Sequence, residues 1–225
     1  MQHLAPWADV VIIVDVLSFS TCVDVAVARG ASILPYHFRD GSAAGFAKEN
    51  GAVLAGARGS GSAYSLSPAS LESVGTGMKV VLPSPNGAAL TLAAAEHDRP
   101  VLAGCLRNAG AVARCANALG RSIVVVPAGE RWAEDDSLRP AVEDLVGAGA
   151  VVAAIAHGSR SPEAEAACAA FFHAKHDLDG FLGNCASGRE LVERGYGGDV
   201  QIAARHDISS AVPRFDGVGY QNGAS

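Results

Sequence analysis

Hydrophobic and polar positions alternate along the chain in blocks that predict strands followed by helices. Val10 to Leu17 is an apolar, largely β-branched run broken by Asp15. Such runs are typical of strands buried on both faces of a parallel sheet. Further strands are predicted at residues 31–36, 52–57, 79–82, 101–106 and 123–126, and helices at 22–29, 40–50, 88–97 and between Asn108 and Gly120. This succession predicts an α/β protein, a three-layer α/β/α fold with a largely parallel, mixed sheet.

The pattern changes after Gly129. A charged loop at 130–140 precedes helices predicted at 141–156, 162–174 and 188–194. Asp199 to Ala204 is interpreted as a late strand, and the tail after Asp216 as frayed. The Gly- and Ser-rich stretch 58–77 is interpreted as a long surface loop. We interpret residues 1–225 as one α/β domain, with a subdivision near 129–140 as the alternative.

Composition narrows the class of protein. A chain of 225 residues buries roughly 70–75% of its extended surface and needs no disulfides. The five cysteines form no C-x-x-C pair, which is typical of reduced cytosolic thiols. The first residues do not resemble a signal peptide, and the apolar runs are far shorter than the roughly 20 residues of a membrane helix. We therefore expect a cytoplasmic protein without a membrane partner.

The net charge bears on nucleic-acid binding, and the small residues of one helix bear on homodimer formation. A net charge of −6 argues against nucleic-acid binding, which needs a basic footprint. The Ala- and Gly-rich helix predicted at 141–156 permits close packing, either within a domain or between the subunits of a homodimer. The sequence does not decide between these two.

Three predicted junctions share one design, in which a strand ends, a polar turn follows and a helix begins. Helix N-termini offer unpaired N–H groups and a positive dipole end, so such junctions favour phosphate. If the strands are parallel, all three junctions lie at one edge of the sheet. The alternative is that these residues only cap their helices. The candidate substrate-binding residues are Ser20 and Thr21, Asn86 and Gly87, and Asn108.

Three acidic residues are candidate metal ligands and catalytic groups. Asp15 interrupts an apolar strand, and a lone buried carboxylate is costly unless it is paired, hydrogen-bonded or metal-bound. Glu143 and Asp144 lie on a small-residue helix, and carboxylate oxygens are ligands of Mg²⁺. Two structural alternatives stay open. Asp15 could bond a helix N-terminus, and one of the two adjacent helical acids could face solvent, because neighbours point about 100° apart.

Charged residues also follow several predicted strands. Arg58, Arg107 and Arg131 each come after one, and Glu130 precedes Arg131. Guanidinium groups match phosphate or sulfonate oxygens, although a single exposed arginine is more often only solvated. The chain has no G-x-G-x-x-G, P-loop lysine or H-x-x-x-H pattern. These absences disfavour a dinucleotide enzyme, a P-loop NTPase and a zinc site.

Taken in order, short motifs along the chain resemble the 2-phosphosulfolactate phosphatase family. The resemblance runs from about residue 10 to 213 and rests on the order and spacing of motifs that are individually weak. The matching stretches are Val-Asp-Val-Leu at 14–17, Ala-Arg-Gly-Ala at 28–31, Ala-Gly-Ala-Arg-Gly at 55–59, Leu-Ser-Pro at 66–68, Pro-Asn-Gly-Ala at 85–88, Leu-Arg-Asn-Ala at 106–109, Pro-Ala-Gly-Glu-Arg at 127–131, Glu-Asp-Leu-Val-Gly-Ala-Gly at 143–149 and Ser-Gly-Arg-Glu-Leu at 187–191. The chain departs from the family at Ser18-Phe19, where relatives often have an arginine, and at 63–66, where an acidic residue is missing.

The resemblance implies a phosphatase that hydrolyses a small anionic phosphomonoester with Mg²⁺, either 2-phosphosulfolactate or a similar acid. In methanogens this reaction lies on the route to coenzyme M, but the family also occurs in bacteria not expected to make that coenzyme. On this hypothesis Asp15 with Glu143 or Asp144 holds the metal. The phosphate is cradled by Asn86, Gly87 and Asn108 and neutralised by Arg58, Arg107 and Arg131. The alternative is a non-catalytic anion-binding protein of the same fold.

Overall fold

A mixed sheet of eight strands forms the centre of the protein, seen in a computed structural model that describes residues 5–37, 41–132 and 134–223. A separate two-stranded hairpin stands outside it. The strands of the large sheet are β1 (Val10–Val14), β2 (Ser32–Tyr36), β3 (Val53–Leu54), β4 (Lys79–Pro83), β5 (Val101–Gly104), β6 (Ile123–Pro127), β9 (Pro213–Phe215) and β10 (Tyr220–Asn222), and the hairpin is formed by β7 (Glu130–Arg131) and β8 (Leu138–Arg139).

The strand order of the sheet is β3-β4-β2-β10-β9-β5-β1-β6. β1 pairs in parallel with β5 and β6, and β4 pairs in parallel with β2 and β3. The β9–β10 hairpin joins these two parallel groups through antiparallel pairings on both sides. Because three successive pairings are antiparallel, the two groups run in opposite senses. The expected largely parallel, mixed sheet is confirmed, but the carboxyl ends of its strands do not all share one edge.

Helices pack on both faces of the sheet. All five residues of β1 are buried, and its side chains alternate between two cores. Val11 and Ile13 belong to the core on one face of the sheet, whereas Ile12 and Val14 belong to the core on the other face. The arrangement is the predicted three-layer α/β/α fold. The helices are α1 (Phe19–Ala28), α2 (Ser42–Glu49), α3 (Pro68–Leu71), α4 (Gly87–Ala95), α5 (Ala109–Leu119), α6 (Val142–Ala154), α7 (Pro162–Ala174), α8 (Leu178–Asn184), α9 (Ala186–Glu193) and α10 (Gly197–Ala204).

Two predicted elements are wrong. Residues 199–204 lie in helix α10, not in a late strand. The buried Val200, Ala203 and Ala204 of this helix follow i, i+3, i+4 spacing, which is helical. Within the described part of the tail, residues 217–223, the chain is not frayed, because β10 lies between β2 and β9.

The boundaries of other predicted elements differ from those in the structure. The loop predicted at 58–77 contains α3, and the strand predicted at 52–57 shrinks to β3. Part of the helix predicted at 40–50 lies outside the described residues. In the part of the chain that the structure describes, every helix is too short or too polar to cross a membrane.

Candidate active site

Asp15, directly after β1, joins the first turns of two helices. Its Oδ1 accepts a hydrogen bond from the main-chain N–H of Phe19 at 3.0 Å, and its Oδ2 accepts one from that of Gly87 at 2.9 Å. These residues begin α1 and α4. A side chain at Gly87 would collide with Asp15 and Phe19, so glycine allows this close approach. The structural alternative for Asp15, a bond to a helix N-terminus, is thus present at two helices.

Asp144, in the first turn of α6, binds the same loop after β1. Its Oδ1 accepts from the N–H of Val16 at 2.7 Å, and its Oδ2 accepts from the N–H of Gly129 at 2.9 Å. The neighbouring Glu143 is also buried, and after burial itself it is the next cause that raises the pKa of the Cys185 thiol. Neither acid faces solvent, although they are adjacent on a helix. The first turns of α1, α4 and α6 therefore bring three acidic side chains, Asp15, Glu143 and Asp144, into one buried region, which we call the acid cluster.

Burial and mutual repulsion shape the charges of this cluster. Burial, with smaller contributions from the nearby Glu130 and Glu143, raises the pKa of Asp15 to about 6, against the lowering effect of its two N–H donors. Burial likewise raises the pKa of Asp144 well above its ordinary value, with further contributions from Asp15 and Glu143. A cation placed among these oxygens would relieve both effects.

The acid cluster fits a hard cation in donor chemistry but is not a preassembled cage. Among the described residues, no group of three or more His, Cys, Asp or Glu side chains is arranged to hold a metal ion. Each oxygen of Asp15 and Asp144 accepts one N–H and can still accept another contact. Mg²⁺ commonly keeps several waters and binds through one or two carboxylates together with substrate phosphate. The donors suit that mode better than a full protein cage.

Glu130 and Asn86 connect the β7–β8 hairpin to the loop after β4. Glu130 Oε1 accepts hydrogen bonds from Asn86 Nδ2 at 2.7 Å and from the N–H of Arg131 at 2.9 Å. The electrostatic effect of Glu130 on Asp15 places this connection beside the acid cluster. The structure therefore brings Asn86, Gly87 and Glu130 together with the three acids.

Ser20, Thr21 and Asn108 are fully buried and bond to main-chain groups of their own turns. Ser20 Oγ accepts from the N–H of Asp15 at 2.9 Å, and Thr21 Oγ1 donates to the carbonyl of Val16 at 2.8 Å. Asn108 Oδ1 accepts from the N–H of Cys105 at 2.8 Å. These bonds shape the turns after β1 and β5. Direct contact of these three side chains with a substrate stays a prediction.

The three predicted arginines occupy different environments. Arg107 forms an ion pair with the buried Asp24 at 2.7 Å, and Arg131 pairs with Asp136 on the exposed hairpin at 3.3 Å. Arg58 binds Ser18 in the loop after β1. Of the three, Arg58 is thus the one bonded to the loop that carries Asp15.

Sequence reasoning missed Arg139, in β8. Its guanidinium binds both carboxylate oxygens of Glu190, at 2.5 and 3.2 Å, and lies 5.3 Å from the centre of the Trp132 ring. Its pKa is raised by Glu190 first, and Glu130 and Glu143 contribute, which places a cation near the acid cluster. β8 has only two residues, so no apolar run marked Arg139 as following a strand.

Comparison of the sequence with known proteins identifies a family. The family described as 2-phosphosulpholactate phosphatase matches residues 2–217. A protein of Carboxydothermus hydrogenoformans named "Probable 2-phosphosulfolactate phosphatase" is 30% identical over 208 residues, which is 90% of this chain and 84% of the relative. A protein of Gloeobacter violaceus with the same name is 30% identical over 218 residues, 94% of this chain and 90% of the relative. The chain belongs to the 2-phosphosulpholactate phosphatase family.

Proposed function

We propose that the protein is a Mg²⁺-dependent phosphatase that hydrolyses 2-phosphosulfolactate, or a closely similar phosphorylated acid, to the hydroxy acid and phosphate. Family membership supports the reaction class and the substrate. The observation that carries the proposal for this site is the acid cluster, where three buried acidic residues meet at the first turns of α1, α4 and α6.

The residues of the chain have separate tasks in this proposal. Bound Mg²⁺ would supply a Lewis acid for a phosphoryl oxygen and lower the pKa of a bound water. Asp15 and Asp144 are held in fixed orientations by main-chain N–H donors. The positive ends of the helices favour phosphate oxygens. The Glu130–Asn86 bond fixes the hairpin against the loop that carries Gly87.

We also propose that the protein works in the cytoplasm. The support is its thiol chemistry. All five cysteines are free, and burial raises the pKa of Cys22 and Cys105. Thiols of this kind are inert and suit a reducing compartment.

Phosphate release from 2-phosphosulfolactate tests the proposed function directly. We expect turnover with Mg²⁺, loss of turnover in EDTA and recovery when Mg²⁺ is restored in excess. Asp15→Asn and Glu143→Gln should each lower kcat on the order of 100-fold or more, as loss of a catalytic carboxylate does. Arg114→Met is a control for substitution outside the acid cluster, because Arg114 is an exposed residue of α5, and it should keep wild-type kinetics.

Two results would contradict the proposal in different ways. Turnover that persists unchanged in EDTA would show that the reaction does not depend on a metal ion. Absence of phosphate release from any phosphomonoester, together with binding of sulfolactate, would favour the non-catalytic anion-binding protein instead.

A further inference from the structure

Arg58 is the centre of a second polar cluster beside the loop after β1. Its Nε donates to Asp199 Oδ2 at 3.2 Å, and its Nη2 donates to Ser18 Oγ at 2.8 Å. The guanidinium carbon lies 5.5 Å from the centre of the Tyr196 ring. Within the described parts of the chain, Nη1 of Arg58 has no hydrogen-bond partner. The arginine therefore keeps donors for a ligand while the rest of its guanidinium is held.

Asp199 is fixed by partners other than Arg58. Its Oδ1 accepts from Ser67 Oγ at 2.6 Å and from the N–H of Ala69 at 3.4 Å. The side chain of Asp199 is 2% exposed and that of Arg58 is 12% exposed. A buried, independently anchored carboxylate thus sets the plane of a guanidinium that solvent can still reach.

The loop after β1 connects this second cluster to the acid cluster. Asp15 and Val16, at the start of the loop, contact Gly87 and Asp144. Ser18, two residues further on, contacts Arg58. A ligand with two anionic groups could therefore meet oxygen-bound metal at one end of the loop and a guanidinium at the other.

We infer that Arg58, positioned by Asp199, binds the anionic group of the substrate that does not react, a sulfonate or a carboxylate. This inference rests on the proposed function, in which the acid cluster takes the phosphoryl group. Asp199 already balances the charge of Arg58, so Arg58 contributes directed N–H donors more than net charge. Directed donors suit the recognition of a second oxyanion. Asp199 is a positioning residue that acts through Arg58.

Substrates that differ in their second anion test the inference. 2-Phosphosulfolactate carries further anionic groups, whereas p-nitrophenyl phosphate carries only the phosphate. Arg58→Met should raise KM for 2-phosphosulfolactate on the order of 10- to 100-fold, the size expected for a lost charged hydrogen bond. Its effect on KM for p-nitrophenyl phosphate should be at least about tenfold smaller, because that ester has no group for Arg58 to bind. Arg114→Met serves again as the control for loss of one positive charge.

The Asp199→Asn variant tests the positioning role. It should raise KM for 2-phosphosulfolactate with little change in kcat, and it should show the same preference between the two substrates. In the double variant Arg58→Met/Asp199→Asn, KM should match that of Arg58→Met alone, because Asp199 acts through Arg58. Equal losses on both substrates, or effects that add in the double variant, would overturn the inference.

Calorimetric titration with sulfolactate separates this inference from the proposed function. Wild-type protein with Mg²⁺ should bind sulfolactate, and Arg58→Met should bind it at least about tenfold more weakly. If Arg58→Met binds sulfolactate more weakly but neither protein releases phosphate, the proposed function is wrong and the anion subsite is supported. Equal sulfolactate affinity in the wild type and in Arg58→Met would overturn the subsite, whatever the phosphatase assay shows.

Discussion

At the scale of single residues, hydrogen bonding and burial have opposite effects on the pKa of Asp15. Two main-chain donors favour its charged form, but burial wins and raises its pKa from 3.8 to about 6. A carboxyl group that binds its proton more tightly when folded stabilises the protein at low pH. That contribution is fully present below pH 3.8 and is lost as the pH rises through about 6. The shift corresponds to about 3 kcal/mol of unfolding free energy.

We therefore predict that metal-free protein loses stability between pH 4.5 and pH 7 through Asp15. Urea unfolding across this range, in EDTA, measures the change. Asp15→Asn should show a smaller loss over this range, by about 2 kcal/mol, because its amide does not titrate. Acids that do not interact with Asp15 contribute equally to both proteins and cancel in the comparison. Asp144, whose pKa the Asp15 carboxylate helps to raise, adds to the difference in the same direction. Parallel pH profiles for the two proteins would refute the prediction.

The position of Arg107 in the sequence fits two roles, a contact with the substrate and a structural ion pair. It forms an ion pair with Asp24, which is fully buried, and Ser209 donates a second bond to that carboxylate at 2.6 Å. Removing one partner of a buried pair leaves an uncompensated charge and costs about 3–5 kcal/mol. We predict this loss for Arg107→Met in urea unfolding. Arg131→Met removes an exposed pair and should change stability by less than about 1 kcal/mol.

The kinetics of Arg107→Met test the second role, direct contact of Arg107 with the substrate. A folded Arg107→Met protein with normal stability and a raised KM would instead support the substrate contact predicted from sequence. Arg58, Arg107 and Arg131 all follow strands, and their spacing does not distinguish them. What distinguishes the three arginines is the carboxylate that the fold brings to each guanidinium. These are Asp199 for Arg58, Asp24 for Arg107 and Asp136 for Arg131.

At the scale of elements, the contact between α6 and α7 depends on a glycine. A side chain at Gly149 would overlap the main-chain carbonyl of Ala167 and crowd Phe171. Gly149→Ala should therefore destabilise the protein by about 1–3 kcal/mol through overpacking. Gly45 also lies inside a helix, α2, but has open space around it. Gly45→Ala should stabilise by about 0.5–1 kcal/mol, because alanine loses less backbone entropy.

Thermal unfolding of both variants provides the comparison. The opposite signs isolate packing from helix propensity, because each substitution adds the same methyl group to a helix. Stabilisation by Gly149→Ala would mean that α6 and α7 do not pack as closely as the structure shows.

Elements with strong local patterns were predictable, and those defined by distant contacts were not. β1 and α7 follow directly from a β-branched run and from Ser161-Pro162 at a helix start. The segment Tyr220–Asn222 has three residues amid glycines, and its strand exists because β2 and β9 flank it. The acid cluster was predictable in its members, since Asp15 interrupts an apolar run and Glu143 and Asp144 stand out on a small-residue helix. Its connections to Gly87 and Gly129 were not, because main-chain donors leave no trace in side-chain identity.

At the scale of the whole molecule, the C-terminal hairpin joins the two parallel groups of the sheet. In the order of the described strands, β9 and β10 lie between β5 and β2. Tyr220 of β10 is fully buried, and its hydroxyl lies 2.8 Å from that of Thr91 in α4. One core contains residues of both groups, such as Ile13 and Val80. A domain boundary within residues 129–140 would separate this hairpin from the strands on either side of it.

We therefore predict one cooperative unfolding unit, as expected for a single domain. In native-state hydrogen exchange, the slowest amides of β1 and of β4 should open with the same free energy, and that value should equal the global free energy of unfolding. The β7–β8 hairpin has strands of two residues and stands outside the large sheet, so its amides should exchange through smaller local openings. Tyr220→Ala should lower the free energy of opening of β1 and β4 together, by about 3–5 kcal/mol, as loss of a large buried aromatic side chain does. If Tyr220→Ala lowered the protection of β4 and left that of β1 unchanged, the two strand groups would be separate units and the single-domain interpretation would be wrong.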